Sequence, residues 1–268
     1  MKLNFNRFYI CCFLSGLLFT KSGFSQEQQP LTNLELAKKI ANPIGELVTV
    51  PFKSDFDMGI GNHNGSKTTL YVQPIISKRL SPKLRLITRW ILPFVSQYDI
   101  IGDGTSQAGL GDAVVTGFLS PSKSKFIWGI GPVFLLPTAT NQYLGGKKFG
   151  IGPSFVALTQ KNGWTIGGLV NHIFSVAGDE NRSDINASFI NPFVIYNWKS
   201  GSGITLNSEY THDWENDLNI LVIMPTFTAL AKFGSQAIGC DIGPRIHFAP
   251  QKRANYGIRA GIIWVFKD

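Results

Sequence analysis

Apolar and polar residues alternate with a period of two along most of this chain. Residues 239–248 place Cys240, Ile242, Pro244, Ile246 and Phe248 on one face and Gly239, Asp241, Gly243, Arg245 and His247 on the other. Residues 256–266 repeat the pattern, with Tyr256, Ile258, Ala260, Ile262, Trp264 and Phe266 set against Gly257, Arg259, Gly261, Ile263 and Val265. Ile204, Leu206, Tyr210 and Trp214 alternate likewise with Thr205, Asn207, Glu209, Thr211 and Asp213. Successive side chains of an extended backbone point to opposite sides, so each segment reads as a strand with one apolar face. Such segments recur near 53–61, 67–77, 84–97, 109–120, 125–137, 149–160, 164–175, 185–198, 204–213, 218–230, 235–248 and 255–267. That makes about twelve, an even number, as single-chain outer-membrane barrels have.

The links carry an independent signal. Short turns (RLSPK, PSKSK, QKNG, KSGSG, FGSQ) follow the even strands, and the links after odd strands are usually longer (YDIIGDGTSQA, TATNQYLGGKK, VAGDENRSD, APQKRAN). Tight periplasmic turns alternating with longer outer loops are the mark of a transmembrane barrel, and a soluble sandwich has no reason to alternate this way. Residues 141–148 and 177–183 are then outer loops. The expected fold is all-β, a transmembrane antiparallel β-barrel of about 12 strands over residues 53–268, preceded by a short helical and extended segment.

Two of the most apolar strands contain nearly the same phrase, WGIGPVF at 128–134 and FGIGPSF at 149–155. Alternation turns Pro132 and Pro153 outward and Gly129, Gly131, Gly150 and Gly152 inward, and a hairpin centred near Gln142 and Tyr143 sets the two prolines opposite each other. Proline lacks a ladder donor, so local distortion of the wall is expected there. The four glycines read as a concave strip in the lumen, occupied by residues 40–47 or by an apolar solute. On that reading Gly131→Leu and Gly152→Leu disturb function more than folding.

The N-terminus follows other rules. Lys2 and Arg7, an apolar run over residues 9–19 and Gly23-Phe24-Ser25 have the order of a secretory signal peptide over residues 1–25. No lipobox surrounds Cys11 or Cys12, and their removal leaves Cys240 alone, which excludes a disulfide framework and a cysteine metal site. Residues 26–52 form a separate N-terminal segment. Leu36, Ala37, Ile40, Ala41 and Ile44 recur at helical spacing until Pro43, which suits a short helix over 34–41 acting either as a plug from below or as a loose periplasmic leader. Removing Lys2, Arg7 and Lys21 lowers the formal charge from +8 to +5. With lysines in turns on an exported chain, nucleic acid is not an expected partner.

Inward parity assigns to the lumen Asp55, Asp57, Gln73, Arg85, Arg89, Asp112, Asn207, Glu209, Asp213, Asp241, Arg245, His247 and Arg259. Opposed to them, residues 125–175 turn Val133, Leu135, Val156, Leu158 and Leu169 inward. Two readings stay open: an internal ion-pair network bracing the wall, or a polar path for an amphipathic or aromatic solute. A lipase-type site on the outer wall would need Ser, His and an orienting group together. The candidates are His172 with Asn171 and Ser175, or His212 with Ser208, whereas NHNG at 62–65 lacks the serine. The four histidines are scattered and imply no metal, and no cofactor motif is present: the glycine-rich GDGTSQAGLGD lacks the strand-to-helix context of a phosphate loop.

Several motifs in order, LAKKIANPIGELVTVPF, FDMGIG, ILPFV, GLGD, IWGIGPVFLLPTAT, FGIGPSFVAL, NHIFSVAGD and NASFINPF, resemble the outer-membrane transporter barrels related to the meta-pathway phenol-degradation family, many of which carry the misleading label neuromedin U. The resemblance covers nearly all of residues 36–267. It implies a barrel in the Gram-negative outer membrane and passage of small hydrophobic or aromatic compounds, and it supplies no catalytic residues. The expected partners are therefore outer-membrane lipid and such a solute, and the alternative function is a non-conducting structural or surface-interaction barrel.

Overall fold

The computed structural model describes residues 31–122, 124, 126–233, 236–248 and 254–266; the expected signal peptide lies outside them. One helix, α1 (Asn33–Ile40), precedes the strands β1 (Val48–Ile60), β2 (Gly65–Val72), β3 (Ile75–Ser81), β4 (Leu84–Tyr98), β5 (Ser106–Leu110), β6 (Ala113–Pro121) and β7 (Ile127–Leu136). The wall continues with β8 (Lys148–Lys161), β9 (Trp164–Gly178), β10 (Asn186–Asn197), β11 (Gly203–Asp213), β12 (Leu218–Phe233), β13 (Gln236–Phe248) and β14 (Tyr256–Phe266). Each strand pairs antiparallel with its neighbours, and β1 closes the sheet onto β14, with Val48 opposite Phe266 and Met58 opposite Tyr256. β2 and β3 share one stave between β1 and β4, and β5 and β6 share another beside β4. The result is a closed antiparallel barrel of twelve staves.

The structure corrects the start of the first strand and the continuity of two staves. β1 begins at Val48 rather than near 53, so the N-terminal segment ends at Leu47 and not at 52. Pro51 does not stop the strand, because it pairs with Ile263 and its carbonyl still accepts the Gln73 N–H at 2.8 Å. The staves expected at 67–77 and 109–120 are each interrupted, at Gln73–Pro74 and at Gly111–Asp112. The links at the long-loop end are usually the longer ones, as expected, with two exceptions. Those at 61–64 and 214–217 are tight turns although they lie at the long-loop end.

The outward face is apolar. Ile242, Ile258, Ile262, Phe227 and Ile130 are each about half exposed, while the intervening Asp55, Arg245 and Arg259 are buried. A soluble monomer rarely exposes a continuous apolar belt of this extent. Exposed aromatics mark both rims, Trp164, Trp198 and Phe266 at the short-turn end and Tyr98, Trp214 and Tyr256 at the other, matching the girdles of a bilayer-spanning barrel. Ile242→Arg on this face should cost about 2–4 kcal/mol near the bilayer midplane. We expect a sharply reduced folded yield in a bilayer refolding assay scored by the heat-sensitive gel shift.

Pro132 pairs directly with Pro153, so the donor each proline lacks would have pointed at its other neighbour. There the ladder lapses: β6 and β7 pair at Thr116 with Val133 and resume at Leu119 with Ile130, and β8 and β9 lapse between Ile151 and Ser154. Register is unchanged across both gaps. At a third proline, Pro192, the side-chain amide of Asn191 donates to the Ser208 carbonyl at 2.7 Å and replaces the missing backbone bond.

Candidate functional site

The floor of the lumen is built by the N-terminal segment. Thr32 caps α1 reciprocally: its hydroxyl accepts the Glu35 N–H at 3.2 Å, and its own N–H donates to the Glu35 carboxylate at 2.9 Å. One face of α1 buries Leu36 against Ala237 of β13 and Val265 of β14, with Ile40 and Leu47 packed beside them. Gln160 of β8 holds the opposite side, donating to the Lys38 carbonyl at 2.8 Å. After the helix, Ile44 enters an apolar cluster with Ile87, Phe118, Val156, Leu158 and Leu169 on the inner wall. Glu46 then ion-pairs with Arg85 of β4. The segment thus lies inside the barrel at its short-turn end.

Towards the long-loop end, β1, β11, β13 and β14 carry a charge network. Asp55 is 2 % exposed and accepts from both Arg245 at 2.5 Å and Arg259 at 2.6 Å. Asp57 accepts from Arg245 at 2.8 Å and lies 3.0 Å from His247 Nε2. Glu209 reaches Arg259 at 3.1 Å. Gly257 stands between Asp57 and Arg245 in the register, and a Cβ there would overlap the Asp57 carboxylate. The glycine is what lets the pair form across an intervening strand.

Between floor and network lies a cavity of about 550 Å³. Lys53, Tyr71, Gln73, Arg89, Asp241 and Arg259 line one side; Leu135, Leu169, Ile173, Phe189, Phe193 and Ile195, interrupted by Asn171 and Asn191, line the other. A smaller cavity of about 260 Å³ lies at the short-turn end, bounded by Glu46, Arg85, Ser122 and Ser124.

The residues expected in the lumen fall into three groups. Gln73, Arg89, Asn207, Glu209, Asp241 and Arg259 line the main cavity. Asp55, Asp57, Arg245 and His247 belong to the network. Arg85 serves the N-terminal segment instead. Two assignments are corrected. Asp112 accepts the N–H groups of Ala139 and Gly146 and shapes the 137–147 loop, and Asp213 caps the 214–217 turn by accepting from Glu215 and Asn216. Each carboxylate satisfies loop donors that a strand-parity argument does not see. At the loop end Lys148 and Ser175 hydrogen-bond Asp184, and this holds its carboxyl below the ordinary carboxylate range.

The glycine strip is also corrected. Gly129 does face the N-terminal segment, and a Cβ there would lie 3.5 Å from Ile44 Cδ1. Gly150 is covered by Ile173 and Leu135, whereas Gly131 and Gly152 press against the backbone carbonyls of Gly117 and His172. The four therefore do not share one open groove.

Lys53, Tyr71, Asn191 and Phe193 were absent from the sequence candidates. Lys53 shares its face with Asp55 and Asp57, so parity within the expected 53–61 strand already turned it inward. On the outer wall, Ser175 bonds Asp184 and not His172. His172 instead lies 2.9 Å from Ser188, whose hydroxyl also accepts from Trp214 Nε1 at 3.0 Å, and His212 pairs with Asn219 at 2.9 Å rather than with Ser208. No carboxylate orients His172 among the described residues, so the three-part relay of a serine hydrolase is not assembled there.

No family model and no curated protein sequence matches the chain. Among solved structures it is similar to an outer membrane channel from Pseudomonas putida F1, with 11% sequence identity and a TM-score of 0.64, covering 82% of this chain and 96% of that one. The beta domain of the Bordetella autotransporter BrkA (11% identity, TM-score 0.44) and an anion-selective porin from Comamonas acidovorans (8% identity, TM-score 0.41) are more distant. Each covers 82% of this chain, and 100% and 98% of the respective neighbour. At 11% identity the likeness to the first of these shows the outer-membrane-type barrel fold alone.

Proposed function

We propose that the protein is a passive channel of the Gram-negative outer membrane for small, partly hydrophobic molecules. The observation that carries this reading is the two-sided cavity enclosed by a lipid-compatible wall. Its volume of about 550 Å³ lies within the range of about 300–1,000 Å³ typical of small-molecule sites, and its apolar side disfavours freely hydrated ions. The N-terminal segment is the gate in this reading, held by Arg85–Glu46, by Gln160 and by the burial of Leu36 and Ile44. Passage requires it to shift.

Liposome swelling with sugars, amino acids and aromatic acids tests the proposal. Deleting residues 31–44 should raise swelling rates several-fold while the barrel still shows its heat-sensitive gel shift. The buried network of Asp55, Arg245 and Arg259 favours a second reading, a braced barrel that conducts nothing. Equal, negligible swelling of the intact and shortened proteins would select it.

A further inference from the structure

We propose that the main cavity binds organic carboxylates, with the carboxylate held between Lys53 and Arg89 and the hydrocarbon body laid on the wall formed by Phe189, Phe193 and Ile195. This rests on the channel reading and names its solute class. Five charged side chains face the cavity: Lys53, Arg89, Arg259, Glu209 and Asp241. Arg259 is bonded to both Asp55 and Glu209, and the network balances only as a whole: Asp55, Asp57 and Glu209 against Arg245, Arg259 and Lys67, which stands opposite Asp57 in the register. Lys53 and Arg89 make no ion pair among the described residues, and the hydrogen bond of Arg89 to Gln73 is long at 3.4 Å.

Asp241 offers a counter-charge but does not use it. It shares a register row with Lys53 across Gly261, packs over that glycine, and leaves its Oδ1 buried without a partner. Even if Asp241 offsets one cation, the other stays unmatched. Removing a cation from water without a partner is costly, and a carboxylate relieves that cost through charge-assisted hydrogen bonds, bidentate at a guanidinium. Tyr71 sits directly opposite Lys53 and lines the same wall, adding a hydroxyl to the polar side.

The opposite wall narrows the class. Ile173, Phe189, Phe193 and Ile195 dominate it, and the Asn191 amide between them already donates to Asn207 and Ser208, so this side offers few free groups to replace the hydration of a sugar or an inorganic anion. A molecule with one charged end and one apolar end satisfies both walls at once. A monocyclic aromatic acid is small enough for a cavity of about 550 Å³.

The test is ligand-observed NMR titration of the intact protein in detergent micelles with benzoate, benzyl alcohol and benzylamine, corrected for empty micelles. Benzoate should bind about tenfold or more tighter than benzyl alcohol, as expected for hydrogen bonds to charged groups, and benzylamine should bind weakest. Lys53→Gln with Arg89→Gln should abolish the preference of benzoate over benzyl alcohol. Equal binding of benzoate and benzyl alcohol to the native protein overturns the carboxylate site, needs no variant to fold, and leaves the channel reading standing if swelling occurs. Absence of binding by all three probes overturns it too, and absence of both binding and swelling removes the channel reading with it.

Discussion

Asp55→Ala is expected to be among the most destabilising single substitutions in the barrel, lowering stability by about 3–5 kcal/mol. Asp55 is 2 % exposed and is the shared acceptor for Arg245 and Arg259, both of them buried. Alanine removes three short acceptor contacts and leaves two buried guanidinium groups with only Asp57 and Glu209 between them. The favourable energy of an intact buried pair is modest, but breaking one exposes the full desolvation cost of the partner left behind. Asp55→Asn keeps the volume and one acceptor oxygen, so its loss should be smaller. The midpoint of urea unfolding in lipid vesicles, followed by tryptophan fluorescence, measures both. A midpoint for Asp55→Ala within error of the native protein would mean the network braces nothing.

Gly152→Leu should prevent folding outright, a loss above about 4 kcal/mol, the range reserved for severe backbone or core conflicts. A Cβ at Gly152 would overlap the carbonyl oxygen of His172 on β9, and one at Gly131 would overlap that of Gly117 on β6. Neither oxygen can retreat without opening the wall beside a proline, where the ladder is already interrupted. Even Gly152→Ala should fail by this argument. Gly129→Ala should fold, since its Cβ would meet Phe118 Cβ at 3.2 Å and Ile44 Cδ1 at 3.5 Å, contacts that a small side-chain adjustment relieves. The heat-sensitive gel shift of each refolded variant separates these outcomes. The order reverses the expectation from alternation alone, in which filling Gly131 and Gly152 disturbed passage rather than folding.

That reversal shows where one-dimensional reading stops. Parity places Gly152 on the inward face, but whether an inward glycine faces a void or a neighbouring carbonyl depends on how tightly two strands approach. Such an approach follows from the missing proline donors and the local twist, which involve residues twenty positions apart. Asp112 and Asp213 illustrate the same limit at the loops: their strand phase is inward, yet unpaired loop N–H groups lie within reach and claim both carboxylates.

The sequence by itself determined the barrel, because a period-two pattern over a dozen segments leaves only one way to hide backbone polarity and still present an apolar face to lipid. It also determined the inward phase of Asp55, Arg245 and Arg259, the outward phase of Ile242 and Ile262, and the pairing of Pro132 with Pro153 through hairpin arithmetic. Tertiary structure alone decided which charges meet. Asp55 and Arg259 are adjacent only because the first and last strands close the barrel, a contact between the two ends of the chain that no local pattern encodes. It likewise decided that Ile44 fills the space at Gly129, and that Arg245 and Arg259 are ion-paired while Lys53 and Arg89, on the cavity wall, are not. The physical reason is common to all three: alternation sets the side of the wall on which a residue stands, and only closure and strand stagger set its neighbours across the lumen.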